Sequence, residues 1–129
     1  MKRLWILAGA LVVTLAALGI ALLLGSLGFN YHRHLEHEDL LRQVVSAQWT
    51  AERLTAWLHD VKGAPLLAVL QSPADVEREA AARGGRKAAE IREKAARHAE
   101  TRVYRAGDML YFAYFDEAGV MRDFTCVSR

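Results

Sequence analysis

The sequence predicts an α+β protein with one N-terminal transmembrane helix, a helical stretch after it, and a C-terminal three-stranded antiparallel meander. Three observations carry that expectation. From Leu4 to Tyr31 the chain runs for 28 residues without Asp, Glu, Lys, Arg or His, more than the roughly 20 apolar residues that cross a hydrocarbon core about 30 Å thick. From residue 33 to 100 apolar side chains recur at helical spacing, broken by capping and glycine signals. From residue 101 the pattern becomes alternating β-branched and aromatic residues with turn residues between the runs. A chain of 129 residues then holds an anchor (1–31) and one extracytoplasmic domain (32–129), helical over 33–100 and a β-meander over 101–128. A multidomain enzyme is not expected at this length.

The apolar run "LWILAGALVVTLAALGIALLLGSLGF" is preceded by Met1-Lys2-Arg3, which also describes a cleaved signal peptide. Signal h-regions are shorter, about 7 to 15 residues, and end at a small-x-small site. The best such site here, Ser26-Leu27-Gly28, is poor, so an uncleaved signal anchor is expected. The single cysteine, Cys126, is far from the run, and no lipidation cysteine follows it. Lys2 and Arg3 precede the run and only Arg33 follows closely, so the positive-inside rule puts the N-terminus in the cytoplasm and the rest outside it. In a bacterium that is an inner-membrane protein with a periplasmic domain. The net charge of +2 comes from Lys2 and Arg3 and gives no reason to expect nucleic-acid binding.

After the anchor, Leu35, Leu40, Leu41, Val44 and Val45 mark a helix, with Glu38 and Arg42 four residues apart on another face. Thr50 is placed to cap a second helix carrying Leu54, Trp57, Leu58 and Val61, which Gly63 closes ahead of Pro65. Trp49 and Trp57 are expected to anchor the helical core. "APLLAVLQ", residues 64–71, fits a short strand or a buried helical turn, because a short apolar run does not declare its period. Ser72-Pro73-Ala74-Asp75 starts a further helix, which Gly84-Gly85 interrupts. Residues 86–100 form an Ala-rich helix with ion-pair spacing at Glu90/Lys94 and Glu93/Arg97 and a thin apolar face. Strands are expected at about 102–106, 109–115 and 120–127. Residues Met109, Tyr111, Ala113 and Phe115 face one way, and Leu110, Phe112 and Tyr114 the other. Both faces are apolar, so the second needs a cover: the Ala-rich helix, the membrane surface or another protein.

"TAERLTAWLHDVKGAP" and "MLYFAYFDEAGVM" are similar to the first helix and the aromatic hairpin of the SmpA/OmlA (BamE-like) outer-membrane assembly lipoproteins. The helix, helix, meander order also resembles that family. This chain differs in having no lipobox cysteine and in carrying a charged Ala-rich insertion. The resemblance implies a non-catalytic, membrane-tethered interaction domain.

Three groups of residues are candidates for function. In "YHRHLEHEDLL", His32, His34, His37 and Glu38 fall at spacings that let one helix face hold Zn, Ni or Cu, or sense pH through histidine. The same residues also suit a solvated helix start on the far side of the bilayer. Tyr104, Phe112 and Tyr114 are candidates for an interaction surface, as aromatics dominate interface energetics. Ala17, Ala21 and Gly25 form a small-residue stripe on which two membrane helices can pack. "RGGRK" lacks the spacing of a phosphate loop, and Cys126 has no base at a defined spacing. The expectation is therefore a non-enzymatic, single-pass protein without a required cofactor. Its partners are the lipid bilayer and an envelope protein or a second copy, and the alternative is a transition-metal or pH sensor.

Overall fold

A computed structural model describes residues 2–21 and 35–128 in full and the backbone course of 22–34. The chain forms two compact units, Met1–His37 and Glu38–Arg129. The boundary lies later than the expected 31/32. Helix α1, Lys2–Ser46, has no break there, and the first of its described residues to be buried is Leu41.

In the first unit, Lys2–Ala21 has a mean hydropathy of 2.4 and no part of it is buried. It is long and apolar enough to cross a membrane. Its one hydroxyl is satisfied within the helix, since Thr14 Oγ1 donates to the Ala10 carbonyl at 2.9 Å. Ala17 and Ala21 lie on the exposed surface of this helix, and Gly25 is outside the fully described residues.

The second unit adds α2 (Ala51–Lys62), β1 (Leu66–Leu70), α3 (Pro73–Arg83), α4 (Ala88–Ala96), β2 (Glu100–Ala106), β3 (Met109–Phe115) and β4 (Met121–Ser128) to the last turns of α1. Local chemistry sets most boundaries. Thr50 Oγ1 accepts from the Arg53 N–H at 3.3 Å and Ser72 Oγ from that of Asp75 at 3.2 Å, so both expected caps form. Gly63 ends α2 in the left-handed region at φ +60°. The buried stripe of α2 is Ala51, Leu54 and Leu58. It stops one turn earlier than its spacing predicts, because Val61 is 63% exposed. Gly84 joins α3 to a 3-10 turn at Gly85–Lys87. A Cβ there would lie 2.5 Å from the Ala80 carbonyl oxygen and 2.9 Å from the Ala88 Cα, so close backbone approach requires glycine.

Two expectations about elements are corrected. The region 33–100 is not wholly helical, because "LLAVL" extends as β1 and pairs antiparallel with β2, making four strands rather than three. The Ala-rich helix stops at Ala96 instead of running to residue 100. The Ala99 N–H is drawn to the Phe115 carbonyl at 3.0 Å, and Glu100 already pairs with Phe115.

The sheet is an antiparallel meander in the order β1-β2-β3-β4. Gly107, at φ +61°, occupies the first central position of the two-residue β2–β3 turn, as a type II′ hairpin requires. Every residue of β3 is buried. On one face Met109, Tyr111, Ala113 and Phe115 pack with Leu41, Val44, Leu54 and Leu58 of α1 and α2. On the other Leu110, Phe112 and Tyr114 pack with Ala80, Ile91 and Ala95 of α3 and α4. The strand's alternation is therefore as the sequence predicts, and both faces are covered by the chain's own helices. Trp49 and Trp57 meet edge to face at 5.4 Å and lie half-buried against the first cluster.

That closure overturns the premise on which Tyr104, Phe112 and Tyr114 were singled out. All three are fully buried. They are core residues, because α2 covers the face of Tyr104 and the α3–α4 pair covers the face of Phe112 and Tyr114.

Candidate functional site

A polar cleft of about 540 Å³ lies beside β4 in the second unit. Its walls carry three cations, Arg42, Lys87 and Lys94, and three carboxylates, Glu38, Glu90 and Asp123. Five of these six charged residues pair with one another. Arg42 reaches Glu38 at 3.1 Å, and Lys94 reaches Asp123 at 3.2 Å and Glu90 at 3.7 Å. The lysines also serve the outer strand. Lys87 Nζ donates to the Cys126 carbonyl at 2.6 Å and Lys94 Nζ to the Phe124 carbonyl at 2.8 Å. The cleft is thus a balanced ion-pair network that caps an edge strand. It holds no excess charge to attract an anion or a cation.

Cys126 borders this cleft but is only 1% exposed. Burial, with a contribution from the Glu38 carboxylate, pushes its thiol up to about 12, against the weaker pull of Lys87, Lys94 and Arg42. A thiol so protonated is a poor nucleophile at neutral pH. Neither His98 nor His59 is placed beside it as a base. Cys126 packs in the cluster beneath α1 and α2, whereas His98 stacks at 5.6 Å on Tyr114, which packs on the opposite face. His98 Nδ1 is already engaged by the Lys94 carbonyl at 2.7 Å, and His59 pairs with Asp60 at 3.0 Å in an exposed position.

Of the four residues singled out for metal, His32 and His34 lie outside the fully described residues. His37 is half-buried on α1, and Glu38 is committed to Arg42. Among the described residues no group of three or more His, Cys, Asp or Glu side chains could hold a metal ion.

Two further features were not singled out from the sequence. Past the end of β1 lies an apolar hollow of about 360 Å³, with Leu70, Pro73, Val76, Ala95 and Ala96 in its lining. On its rim Arg92 is held by both oxygens of Glu77, at 2.7 and 2.9 Å. The second feature is β1 itself, an uncharged strand at the end of the sheet order, in which Val69 is 41% exposed. The Ser72-Pro73 start of α3 was the legible signal for one wall of the hollow. The other wall comes from residues some twenty positions away, which spacing does not bring together. The chain matches no family model, no curated protein and no solved structure.

Proposed function

We propose that this chain is a non-catalytic, single-pass membrane protein whose folded C-terminal unit binds another protein of the cell envelope. The observation that carries the reading is the helix Lys2–Ala21. It leaves its whole apolar surface uncovered, a state that lipid accommodates and water does not. The second unit behaves differently, with a core closed on both faces of its sheet. Membrane attachment is therefore assigned to the helix and recognition to the surface of the folded unit.

Lys2 and Arg3 before the helix favour a cytoplasmic N-terminus by the positive-inside rule. The folded unit then lies on the far side, in the periplasm if the membrane is a bacterial inner membrane. The resemblance to the SmpA/OmlA domains points to the same class of role. Cross-linking of the full chain in intact membranes, read by mass spectrometry, tests the reading. One reproducible envelope protein is the expected result, and recovery of monomers alone would overturn it.

A further inference from the structure

The two edges of the sheet are treated differently. At β4, Lys87 and Lys94 donate to the Cys126 and Phe124 carbonyls, so two carbonyls two residues apart on the strand are occupied. Lysines on an edge are a common guard against strand addition. At β1, among the described residues, no lysine donates to a strand carbonyl in this way. Leu66–Leu70 carries no charge, and although Pro65 and the irregularity between Leu66 and Ala68 blunt its first half, Ala68, Val69 and Leu70 pair regularly with Val103, Arg102 and Thr101. The regular half is the half that bears exposed Val69 and leads into the apolar hollow.

We propose that the β1 edge and the hollow beyond Leu70 form a docking site for an extended, uncharged segment of a partner protein. The segment adds as a further strand and seats an apolar side chain in the hollow. The inference rests on the interaction reading above and names its surface. Strand addition draws affinity from main-chain hydrogen bonds and specificity from pockets for alternate side chains, and β1 with its hollow supplies one of each.

The occupant follows from size and charge. A five-residue strand spans about 17 Å. Strand pairing over that length alone is a small contact beside the roughly 1,000 Å² of a stable dimer interface, whereas a peptide needs no more than the edge and the pocket. The occupant has no charge to satisfy, because Arg92 is held by Glu77 and Glu100 accepts from Gln71 at 3.1 Å and from Arg102 at 3.0 Å.

The test uses the full chain in detergent micelles, panned against a displayed library of random decapeptides. Selected peptides should be uncharged and rich in β-branched or aromatic residues, and their binding should slow hydrogen exchange at the amides of β1. Val69→Lys should weaken binding at least about tenfold, and Ala96→Trp, at an exposed position in the hollow, should do the same. Val61→Lys, at a still more exposed valine elsewhere, should not. Peptides that bind Val69→Lys unchanged, dimers formed through β1, or enrichment of no peptide would each overturn the proposal. If Val69→Lys still cross-links the wild-type envelope partner in membranes, the interaction reading stands and the β1 edge does not. If the wild-type chain captures no partner, the reading itself falls.

Discussion

Lys94 caps the outer strand at Phe124: its ammonium group donates to the Phe124 carbonyl at 2.8 Å and to Asp123 Oδ1 at 3.2 Å. Lys87 does the same for the Cys126 carbonyl. Lys94→Met keeps the apolar stem and removes three charge-assisted contacts, and should cost about 1–3 kcal/mol in urea unfolding. Combined with Lys87→Met it should also expose the edge and raise self-association, read by light scattering. A double variant that loses stability but stays monomeric would mean that the lysines brace α4 without guarding the strand.

Phe112 and Tyr104, both core residues, should respond differently to substitution. Phe112 is fully buried between the sheet and the α3–α4 pair, and Phe112→Ala should cost about 3–5 kcal/mol. Tyr104 bonds Thr55 Oγ1 at 2.7 Å, and Thr55 also accepts from Arg102 at 3.2 Å. Tyr104→Phe should therefore cost only about 1 kcal/mol, because one partner remains for Thr55. Denaturant midpoints decide the matter, and a Phe112→Ala chain of unchanged stability would contradict its place in the core.

These buried aromatics show where sequence reading stops. The caps at Thr50 and Ser72 and the left-handed Gly63 were legible because each is settled within four residues of chain. The inward and outward sets of β3 were legible because a strand has a period of two. β1 was not, since a five-residue apolar run fits either period. The fate of Phe112 and Tyr114 depended on whether a helix with a thin alanine face could cover them. Alanine reads as little buried area. Yet Ala80 and Ala95 are buried in one cluster with Phe112 and Tyr114, and Gly84 lets the backbones at Ala80 and Ala88 approach closely; both are tertiary facts. The cleft was hidden for a similar reason, as α1, α4 and β4 each supply part of it.

Cys126 gives a test at alkaline pH. Burial raises its thiol from an ordinary 9.0 to about 12, so the folded chain holds a proton that the unfolded chain releases. The resulting stability is present below pH 9 and is lost as pH rises toward 12. Tyr104, Tyr111 and Tyr114, raised above 10.0 chiefly by burial, add to the loss at its upper end. Cys126→Ala should flatten the first part of the alkaline decline in thermal stability. A thiol reagent should label the wild-type chain at neutral pH only as fast as it unfolds, and rapid labelling of the folded chain would refute the buried placement.

Asp116 gives the opposite limb. Its Oδ1 accepts from the N–H groups of Ala118 at 2.9 Å and Val120 at 3.0 Å, and its Oδ2 from Arg122 at 2.8 Å. The Val120 hydrogen bond first, and Arg122 next, hold the carboxyl below its ordinary 3.8. A carboxyl depressed in the folded state stabilises above its unfolded value, and that contribution is lost as pH falls through the folded one. Asp116→Asn keeps an acceptor for the turn but neither the charge nor the titration. It should be less stable than the wild type at pH 7, and the two should converge as pH falls from the ordinary 3.8 through the lower folded value. Thermal unfolding measured across that range decides it. Parallel curves for the two chains would show that the β3–β4 turn is held by its hydrogen bonds alone, with no share for the ionised carboxylate.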